Sequence, residues 1–386
     1  MTTTGSTTGS VTRRLRDDNA RAVLLHVWDL PPGAAVTGSD LIAVTGLSRA
    51  TVHDVCDELI DRGWLRELEN QRSTGTYTKG RPARRYGFDA RAGAVVGIDA
   101  GERRISARVT DLRGVPLAAV ERVVDQVAGR TPVAHRIAAL DEVLREACAA
   151  AGSPRVLAVS VGVPAPVGVD GRTVGTDNPF WAFTNPDLAG VLGDRFGWPV
   201  LVENDANLAA LAEGWCGAGA GLAHQVTVLA GERIGAGVVD DGRLLRGVRG
   251  GVGEMRYLDI VEGVGSSAGL GKVLRDLGGT EEAADVLAAA RAGGLVATAQ
   301  VEIAGLRLTR IVVTLVSLFD PERVILAGGA ASSALVEVVN RELPSFLDLP
   351  RPLVVASTLG RDVVVLGALR RALDHVRGEA LSLRLD

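Results

Sequence analysis

The sequence is poor in two residue types, cysteine and lysine. Three cysteines, Cys56, Cys148 and Cys216, are scattered along 386 residues, and none belongs to a CxxC pair. An odd number of isolated cysteines argues against a disulfide framework and against a cysteine zinc site. Only two of the 42 basic residues are lysines, Lys79 and Lys272. Arginine is therefore the default cation of this chain, and an arginine at any single position carries little information by itself.

Long apolar runs and an apolar leader are also missing. No uninterrupted apolar stretch approaches the roughly 18 residues that a membrane-spanning helix needs. Residues 1–10 are almost entirely Thr, Ser and Gly, which predicts a disordered tail and not a secretory signal. We therefore expect a cytoplasmic protein with no membrane partner. Because 386 residues exceed what one hydrophobic core usually serves, two or three globular α/β domains are expected.

A basic domain is absent as well. The net charge is −4, and residues 1–90 carry 12 Lys and Arg against 11 Asp and Glu. Such a balance argues against a strongly basic nucleic-acid binder. Any contact with DNA must come from locally placed charge.

The pattern of residues 11–90 is typical of a winged helix-turn-helix. A helix is predicted at Asn19–Trp28, and Thr37 or Ser39 can cap a second, short helix. Residues 45–48 predict a tight turn that ends in an N-cap serine. The following helix has an apolar stripe at helical spacing, formed by Val52, Val55, Cys56, Leu59 and Ile60. A strand then begins at Trp64-Leu65. The alternative is a three-helix protein–protein module.

Charge along the third helix favours DNA binding at one end. Ser48, Arg49, Thr51 and His53 lie at the start of this helix, and we expect them to contact DNA. Four acids follow in its second half: Asp54, Asp57, Glu58 and Asp61. Because phosphates would repel the acidic half, only the N-terminal end can enter a major groove, as recognition helices usually do.

A second DNA contact is predicted in the segment 78–85. It carries four cations around a Gly and a Pro between two strand-like runs. We expect Lys79, Gly80 and Arg81 to form a wing in which Arg81 lies in a narrow minor groove, where the negative potential favours a guanidinium. The alternative is a solvated basic hairpin.

Residues 91–386 predict a duplicated α/β domain that follows a hinge at Ala92-Gly93. Three strands followed by βα units occur once from residue 94 and again from residue 225. The letters Ala-Gly-Glu-Arg follow the first strand of both blocks, at residues 100–103 and 230–233. This arrangement indicates the actin-like ATPase fold, with two lobes at about 91–205 and 206–386 and a ligand cleft between them.

Four further motifs resemble the ROK family of repressors and sugar kinases, and the resemblance extends over about residues 11–375. They are Val-Gly-Val-Pro at 161–164, Leu-Val-Glu-Asn-Asp-Ala-Asn at 201–207, the glycine-containing run at 235–254, and Asp-Pro-Glu-Arg-Val-Ile-Leu-Ala-Gly-Gly at 320–329. The motif around Asp205 is the most specific.

The resemblance implies roles for five residues of the cleft. Asp205 matches the general base that takes a proton from the sugar hydroxyl in ROK kinases. Asn178, Asn204 and Glu254 match positions that hydrogen-bond sugar hydroxyls. Tyr257 stands where the family has a histidine that contacts both sugar and zinc. We therefore expect these five residues to bind the effector. The alternative for Asp205 is that it only caps its own helix.

Departures from the family pattern argue against kinase chemistry. The first hairpin, Asp-x-Gly-Gly-Thr in the family, is Asp-Ala-Gly-Glu-Arg at 99–103, and the second, Gly-Thr-Gly, is Gly-Glu-Arg at 231–233. We expect the two glutamates to repel a nucleotide's phosphates. The family's Gly-Glu-x-Gly-His is Gly-Glu-Met-Arg-Tyr at 253–257, and residues 258–270 contain no Cys or His. We expect no metal and no cofactor.

These observations predict a transcriptional regulator and not an enzyme. We expect a homodimer or tetramer, more specifically a repressor, that binds a palindromic double-stranded DNA operator and senses a small polar effector such as a sugar. Two alternatives stay open. One is an ATP-dependent sugar kinase, which Asp205 supports. The other is a regulator with a vestigial cleft that a protein partner controls.

Overall fold

The N-terminal unit is a winged helix-turn-helix. The computed structural model describes residues 6–69, 83–124, 128–173, 178–265, 268–280, 282–329, 331–344, 353–383 and 385. The unit's elements are α1 (Ser6–Asp29), β1 (Val36–Thr37), α2 (Gly38–Thr45), α3 (Arg49–Asp61), β2 (Leu65–Leu68) and β3 (Arg85–Phe88). The strands form an antiparallel sheet in the order β1-β3-β2. Three helices and a sheet in this sequence agree with the predicted module.

Local signals set the ends of α2 and α3. Thr37 and Asp40 form a reciprocal capping box at the start of α2, and Gly46 ends the helix with a φ of 69°. Ser48 caps α3 by accepting a hydrogen bond from the amide of Thr51. The predicted apolar stripe of α3 faces the core, with Val52, Val55, Cys56 and Leu59 all buried.

The prediction of a disordered tail is wrong for residues 6–10. These residues form the first turns of α1, which is 24 residues long, whereas the predicted helix began only at Asn19. Once a helix has nucleated, adding one more residue costs little, so weak helix formers can extend it. Residues 1–5 lie outside the described residues.

The remainder of the chain contains two α/β halves. The first consists of β4 (Ala94–Ala100), β5 (Arg104–Asp111), β6 (Pro116–Val123), α4 (Val133–Ala150), β7 (Val156–Val163), α5 (Pro179–Thr184), α6 (Leu188–Phe196) and β8 (Val200–Asn204). Helix α7 (Asp205–Cys216) follows. The second consists of β9 (Gln225–Ala230), β10 (Ile234–Asp240), β11 (Arg243–Leu244), α8 (Leu270–Gly278), α9 (Ala283–Arg291), α10 (Leu295–Phe319), β12 (Arg323–Ala327), α11 (Ser333–Glu342), β13 (Val354–Ala356) and α12 (Val363–Glu379).

The two sheets have the same topology. Their orders are β6-β5-β4-β7-β8 and β11-β10-β9-β12-β13. In each sheet the first three strands are antiparallel and the last two are parallel to the first. The duplication inferred from the repeated Ala-Gly-Glu-Arg is therefore present in the strand order.

Helix α12 corrects the expected lobe boundary. It belongs to residues 206–386, yet it packs on β4 and β7 of the first half and along α7. Glycine makes this packing possible, because a Cβ on Gly367 would overlap the carbonyl oxygen of Leu208. The end of the chain therefore completes the first lobe. Because α12 is far from β4 and β7 in sequence, no local sequence pattern indicates that they pack together.

The winged helix shares its hydrophobic core with the first lobe. Its aromatic core residues belong to the same buried cluster as Leu112, Leu157, Leu369 and Leu373. The Trp28 indole donates to the carbonyl of Leu112 at 3.0 Å. The expected hinge at Ala92-Gly93 therefore does not separate two independent cores. Among the described residues, none of the helices has the length and hydropathy to cross a bilayer.

Candidate functional site

The start of α3 presents part of the predicted DNA surface. Ser48 and Arg49 are exposed. The Thr51 hydroxyl lies 2.9 Å from that of Ser48, so these two side chains form a local cap. His53 is directed inward, with its Nδ1 at 3.1 Å from the hydroxyl of the buried Tyr86. Of the four predicted residues, Arg49 is the one that extends a cation away from the protein.

Ion pairs neutralise part of the acidic half of α3. Asp57 pairs with Arg84 at 2.7 Å, and Glu58 pairs with Arg16 at 2.7 Å and with Arg62 at 2.6 Å. The repulsion of phosphates expected from these acids is therefore reduced. The predicted wing residues Lys79, Gly80 and Arg81 lie outside the described residues, so their contact with DNA stays a prediction.

The cleft brings together four of the five predicted effector contacts. Asn178, Asn204, Asp205 and Glu254 line one cavity of about 340 Å³. This is in the size range of small-molecule sites. The fifth residue, Tyr257, lies just beyond, in a 3-10 helix at Met255–Ile260. The rest of the lining was not predicted as contacts, and its aromatic and charged members are Phe180, Trp181, Arg233 and Arg256.

Helix starts position the polar residues of this cavity. Asn204 ends β8 and caps α7 by accepting from the amide of Asn207 at 3.1 Å. Its side-chain amide donates to the carbonyl of Ala165 at 3.1 Å and to Glu254 at 3.4 Å. Asn178 caps α5 in the same manner, through the amide of Phe180. Asn204 is therefore the N-cap of α7. Asp205 is the first residue of the helix, where its carboxyl accepts from the amide of Ala206 at 2.8 Å and lines the cleft.

Burial makes the cleft carboxyls weak acids. Desolvation, with smaller contributions from the charges of Asp99 and Glu254, raises the pKa of Asp205 to about 8. Desolvation also raises the pKa of Glu254 to about 7 and that of Asp99 to about 6. At pH 7 Asp205 and Glu254 therefore hold protons for much of the time, whereas exposed carboxyls have lost theirs.

This protonation predicts a pH-dependent gain in stability for Asp205→Asn. The pKa of Asp205 is higher in the folded than in the unfolded chain, so ionisation favours unfolding as the pH rises from about 4 to about 8. An amide carries no such cost. We expect the variant to melt roughly 3–6 °C above the parent at pH 8 and close to it at pH 4. Asp194→Asn, at an exposed site on α6, is the control, and a pH-independent difference would contradict the assignment.

The hairpin side of the cleft forms a second cavity, of about 330 Å³. Glu102 from the first lobe faces Arg233 from the second at 3.9 Å, and Arg103 faces Glu232 at the same distance. Arg275 pairs with Glu232 at 2.6 Å. The expectation of two uncompensated anions was therefore wrong. Arginines from the opposite lobe partly neutralise both glutamates, and the four side chains line this cavity.

A buried arginine supports both the first hairpin and α5. Arg136 on α4 is fully buried and donates to the carbonyls of Ala100 at 2.6 Å and Thr184 at 3.1 Å. Its guanidinium also lies 5.4 Å from the ring centroid of Phe183. It therefore connects the Glu102 hairpin to the helix that Asn178 caps. In the sequence it is one arginine among many, and no pattern distinguished it.

Metal ligands do not cluster in the described part of the chain. There, no three His, Cys, Asp or Glu side chains are arranged to hold an ion. The cysteines are free, and burial raises the pKa of the Cys56 thiol to about 12. This side chain therefore behaves as part of the core of the winged helix.

The sequence matches the ROK family over residues 95–374. It is 30% identical over 321 residues to a glucokinase of Thermotoga maritima, covering 74% of this chain and 98% of that enzyme. It is 24% identical over 392 residues to a xylose repressor of Caldicellulosiruptor bescii, covering 92% of this chain and 95% of that protein. The glucokinase alignment covers about three-quarters of the chain, whereas that with the repressor extends along nearly all of it.

Solved structures show the same difference in coverage between kinases and regulators. A ROK family transcriptional regulator, a homologue of the Escherichia coli MLC protein, superposes with a TM-score of 0.71 at 22% identity and covers 96% of this chain and 99% of its own. A ROK glucokinase from Streptomyces griseus in complex with glucose and AMPPNP gives a TM-score of 0.62 at 25% identity and covers 73% of this chain and 100% of its own. The predicted fold, a winged helix followed by a duplicated actin-like domain, is confirmed.

Proposed function

This chain belongs to the ROK family, and we propose that it is a DNA-binding transcriptional regulator that senses a small polar effector, a sugar or sugar derivative, without transferring phosphate. The observation that carries the proposal is the shared core between the winged helix and the sensor. We propose repression as its direction of control, because the relative aligned along nearly the whole chain is a repressor. Such a regulator would act in the cytoplasm.

Helix α12 supports communication between the two units. Val363 and Val364 at its start line the hairpin side of the cleft. Leu373, three turns later, lies in the core shared with the winged helix. Near its end Arg377 pairs with Asp29 of α1 at 2.6 Å. Because a helix moves largely as one rigid element, a change in cleft closure would shift the DNA-binding unit.

A homodimer is proposed from the surface of α10. Leu295, Val296, Ile303, Leu306 and Leu318 are exposed on this helix, Leu295 by 87% and Leu318 by 69%. Val296 and Ile303 are seven residues apart, so they lie on one side of the helix. A partly apolar exposed face of this kind is typical of a protein–protein contact. Two winged helices related by a twofold axis would match a palindromic operator.

The alternative of a sugar kinase rests on two observations. Asp205, which the motif resemblance matches to the general base of ROK kinases, lines the cleft, and a glucokinase is 30% identical to the chain. The hairpins argue against it, because charged side chains replace the small residues that a phosphate-binding loop needs. We therefore propose that the protein is not an enzyme.

Selection of operator DNA tests the regulator proposal. Purified protein is incubated with random double-stranded DNA, and the bound fraction is sequenced and footprinted. We expect an inverted repeat with half-sites about one helical turn, or a multiple of it, apart, occupied by two chains. Absence of any sequence preference would contradict the proposal. A specific site that no sugar or sugar derivative affects would instead favour a vestigial cleft controlled by a protein partner.

A further inference from the structure

The polar cavity that holds Asp205 also contains two arginines held on adjacent aromatic rings. The guanidinium of Arg233 lies 3.7 Å from the ring centroid of Phe180, and that of Arg256 lies 5.7 Å from that of Trp181. Phe180 and Trp181 are consecutive residues of α5, whose N-cap is the cavity residue Asn178. One short helix therefore positions both cations beside the effector contacts.

Stacking leaves the hydrogen-bonding edge of a guanidinium available. A guanidinium that lies over an aromatic ring keeps its N–H donors in its own plane, directed away from the ring. This fork matches the oxygens of a carboxylate or a phosphate monoester. Within the part of the chain that the structure describes, no carboxylate lies within ion-pair distance of Arg256. Arg233 faces Glu102 at 3.9 Å, the long end of an ion pair.

The carboxyls of the cavity do not cancel this positive charge. Burial raises the pKa values of Asp205 and Glu254 to about 8 and about 7, so near neutral pH both hold protons for much of the time. A protonated carboxyl can donate a hydrogen bond and does not repel an anion.

We infer that the effector is an anionic carbohydrate derivative whose phosphate or carboxylate group is bound by Arg233 and Arg256. Its hydroxyl groups would face Asn204, Asp205 and Glu254 on the other wall of the cavity. The inference rests on the proposed sensing function and narrows the class of effector. With a neutral sugar, Arg256 would have no anionic partner among the described residues and Arg233 would have only Glu102 at 3.9 Å, in a cavity of about 340 Å³.

Matched ligand pairs test the inference. Isothermal titration of the full-length protein compares glucose with glucose 6-phosphate and glucuronate, and N-acetylglucosamine with its 6-phosphate. Inorganic phosphate alone is included. We expect at least one anionic member to bind roughly 30-fold or more tightly than its neutral partner, because charge-assisted hydrogen bonds are about twice as strong as neutral ones. Comparison of the sugar phosphates with the sugar carboxylates shows which anionic group the site binds.

Arginine variants assign the preference to this site. We expect Arg233→Gln and Arg256→Gln each to weaken binding of the anionic member roughly 10- to 100-fold, and that of the neutral member less than about 3-fold. Arg291→Gln, at an exposed site on α9, is the matched control and should leave both affinities unchanged. Melting temperatures of the unliganded variants check that each is folded.

Three results would overturn the inference. The first is that no anionic member binds more tightly than its neutral partner, which includes the case in which neither binds. The second is that inorganic phosphate binds as tightly as the sugar phosphates. The third is that neither arginine variant changes the affinity for the anionic member. Operator binding is measured on the same preparations. Specific DNA binding together with a neutral-sugar preference removes this inference and keeps the proposed function. Anion preference without specific DNA binding removes the proposed function instead.

Discussion

Purified protein is expected to release no ADP from ATP above background, whichever hexose is present. Ordinary kinases turn over about 1–100 times per second, and phosphoryl transfer depends almost entirely on positioning and charge stabilisation. In this chain the hairpins that would hold the phosphates carry Glu102, Arg103, Glu232 and Arg233, and these residues face each other in pairs across the cleft. Binding of a triphosphate would have to separate both pairs.

Asp205 cannot compensate for the lack of a phosphate-binding hairpin. A general base contributes roughly 10²- to 10⁴-fold, and only when the γ-phosphoryl group is held in line. Replacing Glu102 and Glu232 by Gly can restore some nucleotide affinity, since it removes two carboxylates from the hairpins. Arg103 and Arg233 would remain there, so turnover should still be absent.

A coupled assay with a panel of hexoses measures the release of ADP from ATP, and Asp205→Asn serves as the blank. Turnover that requires a sugar and disappears in Asp205→Asn would make the protein a kinase as well as a regulator. Background release that is equal in parent and variant agrees with the proposal. The melting temperature of each preparation excludes loss of fold as the cause of inactivity.

Arg49→Ala is expected to weaken operator binding roughly 5- to 150-fold, corresponding to about 1–3 kcal/mol for a lost base contact. Arg49 is exposed in the first turn of α3, whereas His53 hydrogen-bonds with Tyr86 inside the unit. The loss should therefore be largest on the preferred half-site and smaller on unrelated DNA. Fluorescence anisotropy with both DNAs measures the difference, and Arg291→Ala is the control.

Arg81→Ala should behave differently in the same assay. If Arg81 enters a narrow minor groove, its removal weakens binding most where the flank of the half-site is A·T-rich. Equal losses on A·T-rich and G·C-rich flanks would instead identify the wing as a phosphate contact without sequence preference. For Arg49, equal losses on operator and unrelated DNA would likewise contradict a base contact.

The sequence by itself determined the features that depend on neighbouring residues. The capping serine Ser48 and the apolar stripe of α3 identified the recognition helix, because helix caps and helical periodicity are local properties. The repeated strand patterns and the two Ala-Gly-Glu-Arg segments identified the duplicated fold. The resemblance of the motif around Asp205 to the ROK family located the cleft, and the structure has Asn204 and Asp205 at one strand-to-helix turn.

Only the tertiary structure decided which distant side chains meet. Glu102 and Arg233 are 131 residues apart in sequence, and their pairing depends on how the two lobes face each other. The same holds for Arg233 and Arg256 beside α5 and for α12 on the first lobe. Such contacts arise from the packing of whole elements, so the segments concerned carry no periodic or capping signal for them. The charge of the hairpins was therefore visible in the sequence, whereas its neutralisation across the cleft was not.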